Sequence, residues 1–307
     1  MKVDSNTMLM STKAQQPLVS VIIPTYSRPD NIVRAIDSVL AQTYKNIEII
    51  VVDDNGVGTP YQIETEKILA DYIVQNQITY LKHEVNKNGS AARNTGFCAS
   101  HGEYVNFLDD DDVFLPQKIE KQVKRLLNSN DYDACYCHTK IYGKRRNILW
   151  QPKEEGNLVL LVLTCKSNFN TSSVLFSRSS LIDIEGWDER FSRHQDWELF
   201  VRFFQHHKIC LPSPPEILLE KYYMPNVISK NPLKAIDYRV FYLKEMEQYV
   251  ENTGRKNYIY KCQMENLCAD LFSNNYKKEG MKMFVEIFKY GFPERLTWMK
   301  MFYYLVH

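Results

Sequence analysis

Asp109, Asp110, Asp111 and Asp112 stand in an unbroken row between Phe107-Leu108 and Val113-Phe114. Four adjacent carboxylates repel one another, and a carboxylate among apolar residues is seldom buried without a partner or a metal, so the run calls for a compensating cation. If residues 105–108 end a strand, its two-residue period sends Asp109 and Asp111 to one side and Asp110 and Asp112 to the other. Hard oxygen donors at a strand end suit Mg²⁺ or Mn²⁺ with positions left open for a phosphate. The competing reading is a solvated acidic turn, with Asp112 capping a helix that begins near Pro116.

The elements around this run form a repeating pattern. Residues 18–23 are β-rich and stopped by Pro24, and Ile32, Ala35, Ile36, Val39 and Leu40 then recur at helical spacing. Residues 47–52 form a second strand running into Asp53-Asp54, completing a β-loop-α-β unit of a parallel sheet, which binds ligands at the carboxyl ends of its strands. A helix over 62–75 and a strand over 78–82 lead to Asn86-Lys87-Asn88-Gly89-Ser90, where Ser90 is the expected cap of a helix carrying Arg93 within reach of an anion. A strand over 102–108 delivers the aspartates. After a helix bearing Ile119, Val123 and Leu126, residues 133–141 read as one strand, Lys144-Arg145-Arg146 as a basic loop, and residues 168–176 as polar residues entering another strand.

The chain has 307 residues, of which 44% are hydrophobic and 24% charged, enough for one large domain and an annex. A net charge of +1 argues against nucleic acid as a partner. Seven scattered cysteines read as free thiols of a reducing, cytoplasmic compartment, and Cys135-Tyr136-Cys137-His138 lacks the second ligand pair of a zinc site. Gly56-Val57-Gly58 has Tyr61 where a dinucleotide fingerprint needs its third glycine. Residues 1–16 are expected to be a disordered polar tail without a signal peptide, and no apolar run reaches transmembrane length. Pro212, Pro214 and Pro215 mark the expected end of a first domain, 17–215. The helical spacing of 235–251, 256–273 and 276–290 then predicts a C-terminal helical region, 216–307. Its last stretch, 296–306, is apolar and aromatic, consistent with packing, a homodimer contact or a peripheral membrane helix.

Taken in order, residues 19–26 (Val-Ser-Val-Ile-Ile-Pro-Thr-Tyr), 38–44 (Ser-Val-Leu-Ala-Gln-Thr-Tyr), 51–54 (Val-Val-Asp-Asp), 89–96 (Gly-Ser-Ala-Ala-Arg-Asn-Thr-Gly) and 107–112 resemble the family-2 inverting glycosyltransferases of bacterial polysaccharide biosynthesis. The resemblance spans about residues 17–215 and implies the α/β fold called GT-A, with a mostly parallel central sheet flanked by helices. It implies that Pro24, Thr25, Tyr26, Asp54, Arg93 and Asp110 bind the nucleotide, that Asp109 and Asp111 bind Mn²⁺ or Mg²⁺, and that Asp196 is the catalytic base. Here Gln195 stands where the family usually has Glu, and Asn55-Gly56-Val57-Gly58 where it more often has Gly-Ser-x-Asp. Because an inverting transfer needs one carboxylate to take the acceptor proton, a single Asp suffices; Asp196 also suits the cap of a helix over 197–206. The implied reaction moves a hexosyl or N-acetylhexosaminyl group from a UDP-sugar to a glycan or lipid-linked acceptor of a capsule-like polysaccharide at the inner membrane face. Competing readings are a sugar nucleotidyltransferase, disfavoured by the lack of a glycine-rich first loop, and a non-catalytic glycan-binding scaffold, disfavoured by intact metal and base positions.

Overall fold

The computed structural model describes residues 16–143, 146–167, 169–222 and 232–306. The expected tail therefore falls almost wholly outside the described residues, as do Lys144 and Arg145. The elements run β1 (Val19–Thr25), α1 (Pro29–Leu40), β2 (Ile47–Asp53), α2 (Pro60–Val74), β3 (Thr79–Lys82), α3 (Gly89–Ala99), β4 (Tyr104–Phe107), β5 (Asp112–Phe114) and α4 (Lys118–Leu127). They continue with β6 (Ala134–Tyr136), β7 (His138–Tyr142), β8 (Ile148–Trp150), α5 (Val159–Leu163), β9 (Val174–Ser177), α6 (Arg178–Asp183), α7 (Gln195–Phe203), β10 (Ile209–Cys210) and β11 (Ile217–Tyr222). Helices α8 (Pro232–Glu245), α9 (Glu247–Asn252), α10 (Lys256–Ser273), α11 (Lys277–Ile287) and α12 (Arg295–Val306) follow.

Seven strands form the main sheet in the order β10-β6-β9-β4-β1-β2-β3. Only β9 runs antiparallel to its neighbours, pairing with β4 and β6. The central strands are buried on both faces, which explains their continuous apolar runs. Ile22, Ile50, Val52, Val105 and Phe107 belong to one core cluster, whereas Val19, Val21, Ile23, Ile49 and Val51 belong to another, as the two-residue period requires. The second cluster takes in Ile32, Ala35, Ile36 and Val39 of α1 and Ile119, Val123 and Leu126 of α4. The first takes in α7 and reaches Tyr242, Cys268, Phe284 and Met301, so the C-terminal helices share a core with the sheet. Gly96 lets α3 lie directly on β1: a Cβ there would collide with Ile22 Cγ2.

Three expectations change. Residues 133–141 are not one strand: β6 belongs to the main sheet and β7 to a second, four-stranded sheet, β5-β11-β7-β8. The break falls at Cys137; Ala134 through Thr139 are all buried, so no change in exposure signals it. The domain edge expected at 215 is also displaced. β11 follows the prolines and pairs with β5 and β7, and its Lys221 reaches the aspartate run. Finally, α3 is capped by Asn88 rather than Ser90: the Asn88 side-chain oxygen accepts from the Ser90 and Ala91 amides, with Asn88 itself at φ 95°. The cysteines are free, as expected. Among the described residues no helix is long and apolar enough to cross a membrane.

Candidate active site

β1, β2 and β4 are mutually parallel, so the loops after Thr25, Asp53 and Phe107 emerge at the same edge of the sheet. There Pro24, Thr25, Tyr26, Asp54, Arg93, Asp109 and Asp110 line a single cavity of about 240 Å³, joined by Arg28, Asn86 and Gln195. Tyr26 is half exposed. Asp111 and Asp196 do not line this cavity but adjoin it, each beside a residue that does.

Asp54 is buried and builds the loop ahead of α3. Its Oδ1 meets His83 Nδ1 at 2.7 Å and accepts from the Lys87 amide, while Oδ2 accepts from the Asn86 side chain and the Asn88 amide. Nε2 of His83 meets the Thr95 hydroxyl at 2.8 Å, so one imidazole joins the end of β3 to α3. The Asn94 side-chain nitrogen donates to the Trp187 carbonyl and its oxygen accepts from the Trp187 amide, anchoring α3 to the 186–189 segment. Together these contacts place Arg93, whose guanidinium donates to Asp109 at 2.7 Å and to Gln195 at 3.1 Å and lies 4.7 Å from the Trp187 ring centroid.

Part of the compensating charge that the aspartates call for comes from cations of the chain itself. Arg28 binds Asp110 at 2.8 Å and Asp111 at 2.7 Å, and Lys221 pairs with Asp112 and, at 3.5 Å, with Asp109. Burial pushes Asp109 up, but Lys221 and Arg93 outweigh it and hold the carboxyl below its usual value. Asp110, which also accepts from Thr25 at 2.8 Å, is raised to about 7, chiefly by burial and against the pull of Arg28. Asp112 does not cap a helix. It opens β5 and is 1% exposed at its side chain against Lys221, whereas the residue flanking α4 is Gln117.

The donor set nevertheless fits a hard divalent cation. One oxygen from each of Asp109, Asp111 and Asp112 lies within 4.8 Å of the others, three ligands of the kind Mg²⁺ and Mn²⁺ prefer. Asp112 joins the expected pair because the chain turns after Asp109, the Asp112 amide donating to the Asp109 carbonyl at 3.0 Å, so strict alternation along an extended strand does not apply.

Asp196 occupies the first turn of α7 and is not its cap; His194, in the left-handed region at φ 58°, flanks the helix. Burial raises the Asp196 pKa, Arg93 opposes that shift and Asp109 adds to it, so this carboxylate shares one electrostatic environment with the cavity. A raised pKa makes it a better proton acceptor than an exposed Asp. His194 differs: burial, Arg239 and Arg193 hold its pKa down to about 3, leaving a weakly basic imidazole. Sequence reasoning missed Arg28, His83, Trp187 and Lys221 as partners of the site. Arg28 stood in the loop already marked as ligand-facing, the one signal available; the others are identified only by contacts across the fold.

A doubly flanked, mostly parallel α/β sheet with an acidic, arginine-rimmed cavity at its carboxyl edge has the architecture of the α/β proteins that bind their ligands at that edge. The glycosyl transferase family 2 profile matches residues 20–184, more than half of the chain, which therefore belongs to that family and is a glycosyltransferase. A glycosyltransferase of Rickettsia prowazekii, itself uncharacterized, is 31% identical over 252 residues, covering 78% of this chain and 71% of the relative. The amylovoran biosynthesis glycosyltransferase AmsB of Erwinia amylovora is 28% identical over 252 residues, covering 79% and 81%. Among solved structures, residues 1–349 of S. aureus TarS in complex with UDP-GlcNAc superimpose with a TM-score of 0.58 at 16% identity, covering 83% of this chain and 80% of that one. That likeness shows the fold, GT-A as expected.

Proposed function

We propose that this enzyme transfers a hexosyl or N-acetylhexosaminyl group from a UDP-sugar, with inversion, to a hydroxyl of a glycan or lipid-linked oligosaccharide during cell-surface polysaccharide assembly. The observation that carries the reading is the convergence of Tyr26, Arg93, Asp109 and Asp110 on one cavity, with Asp196 sharing its electrostatic field. The UDP-GlcNAc bound by TarS and the polysaccharide named for AmsB support the donor and the acceptor class.

In this reading Tyr26 stacks on the base, while Pro24, Thr25 and Asp110 line the nucleoside. Asp54 acts through the loop it holds as well as by its own contacts. Asp109 and Asp111, with Asp112 beside them, would hold Mn²⁺ or Mg²⁺, which when bound neutralises charge building on the departing diphosphate. Arg93 is poised to move from Asp109 toward that same charge. Asp196 takes the proton of the acceptor hydroxyl as its oxygen attacks the anomeric carbon, and the C–O bond to UDP breaks on the opposite face. The exposed Phe292, Met299 and Phe302 on and before α12 support a peripheral contact with the inner membrane face, where a lipid-linked acceptor would lie.

Calorimetric titration of the full chain with UDP, with Mn²⁺ or with EDTA, tests the donor and metal assignments. Binding with Mn²⁺ that weakens markedly in EDTA is expected. Equal affinity in both would refute the metal, and no binding in either would refute the UDP donor.

A further inference from the structure

The turn that carries Asp196 is not held from within α7. His194, which flanks the helix, makes no side-chain capping bond and stands in the left-handed region at φ 58°. A residue with a side chain adopts that backbone at a cost, so the surrounding structure must hold it there. Helix α8 meets residues 190–197 at four points. Glu245 pairs with Arg190 at 2.8 Å, the Phe241 and Phe191 ring centroids lie 4.9 Å apart, and Tyr242 and Arg239 reach the rings on either side of Asp196.

Those rings form a stack. The His194 and Trp197 centroids are 4.6 Å apart with the planes within 16° of parallel, Tyr242 meets them at 5.6 and 5.8 Å, and the Arg239 guanidinium lies 5.0 Å from the Trp197 centroid. Arg239 and Tyr242, three residues apart, share one face of α8. Arg239 is only 2% exposed, and its acceptors are neutral: the Gln263 carbonyl and side-chain oxygen, each at 2.8 Å, Asn266 Oδ1 at 2.9 Å and the Cys165 sulfur at 3.9 Å. Gln263 is fixed in turn, its side-chain nitrogen donating to the Leu163 carbonyl at 2.7 Å. Burying a guanidinium against neutral acceptors is costly. Here it places a charge, anchored to α10 and through it to α5, over the Trp197 ring, where desolvation strengthens the cation–π contact.

Asp196 stands in sequence between the two stacked rings, so a shift of either ring moves the backbone that carries its carboxyl. A catalytic group misplaced by about 1 Å can lose on the order of 10²-fold in rate. Both Asp196 and α8 lie beyond residues 20–184, the part of the chain that the family profile matches.

We propose that Arg239 is a positioning residue for the base: through Trp197 and His194 it fixes the first turn of α7 and so directs the Asp196 carboxyl. The inference rests on the glycosyltransfer reading above, in which Asp196 takes the acceptor proton, and it gives α8 a part in turnover.

Arg239→Met, which keeps an unbranched side chain and removes the charge, tests it on the full chain. Turnover is followed as UDP release with the UDP-sugar and methyl β-glycoside that react fastest with the wild type, UDP affinity by calorimetry with Mn²⁺, and the His194 Cε1–H resonance by NMR. The kcat should fall by about 10–10²-fold, while UDP affinity and the donor KM stay at the wild-type level. The His194 resonance, shifted in the wild type by the Trp197 ring, should move toward its unstacked position. Arg239→Lys, which restores a cation, and Trp197→Phe, which keeps a ring, should recover most of the turnover, whereas Trp197→Leu should not. The proposal is overturned if Arg239→Met keeps the wild-type kcat, if kcat and UDP affinity fall together, or if the His194 resonance does not move. Should Arg239→Met fail to fold, equal kcat in Trp197→Leu and Trp197→Phe overturns it instead. Asp196→Asn, measured beside them, separates the two readings. If it keeps normal turnover, or the wild type transfers no sugar, the base assignment falls and this inference with it; an inactive Asp196→Asn beside a fully active Arg239→Met overturns this inference alone.

Discussion

Asp196→Asn is expected to lower sugar transfer by about 10²–10⁴-fold, the usual contribution of a positioned general base, while UDP affinity stays at the wild-type level. The substitution keeps shape and removes only the ability to accept a proton. Asp196 is not among the residues lining the nucleotide cavity, so the amide should leave UDP contacts intact. Its carboxyl is raised by burial and by Asp109, so it gains basicity where it is needed, whereas His194 beside it is held far too weak a base to substitute. Turnover and UDP binding measured on the same preparation separate the outcomes. Near-normal turnover would place the base elsewhere, and a joint loss of UDP binding would assign Asp196 to the nucleotide.

Lys221→Met should lower unfolding free energy by about 3–5 kcal/mol, the range for breaking a buried ion pair from one side. Asp112 is 1% exposed at its side chain and Lys221 is its cation, with Asp109 as a second carboxylate in reach. Removing the ammonium leaves two carboxylates of the run facing each other with less compensation, so activity should fall as well. The double variant Lys221→Met/Asp112→Leu should recover much of the stability, because replacing a buried pair by apolar groups is often nearly neutral. Urea denaturation measures both; a single variant within about 0.5 kcal/mol of wild type, the ordinary scatter of surface changes, would show that the pair contributes little.

These two residues illustrate what the sequence discloses. β1, β2 and β4 are legible because strands buried on both faces must be apolar throughout, and their polar ends mark where loops meet at one sheet edge. Most of the cavity residues follow from that: Thr25, Asp54 and Asp109 each stand at or just past such an end, and Arg93 lies one turn into α3. What is not legible depends on contacts between residues far apart in the chain. Nothing local to Lys221 indicates that it pairs with Asp112, 109 residues earlier, and the prolines at 212–215 point to a boundary that β11 crosses. The split of 133–141 between two sheets is hidden for the opposite reason, since the residues on both sides of the break at Cys137 are buried alike. The ring stack beside Asp196 is assembled from α8, α10 and the turn into α7, and no single segment carries its signature.

The most direct test of the account is a donor screen. The full chain, with Mn²⁺ and methyl β-glycosides as acceptors, is incubated with UDP-, GDP- and dTDP-linked sugars, and released nucleotide is followed together with the glycoside product. UDP should be released from at least one UDP-sugar with matching transfer to the glycoside, abolished by EDTA and by Asp196→Asn. Release confined to GDP- or dTDP-sugars, or UDP release that is indifferent to both EDTA and Asp196→Asn, would contradict it.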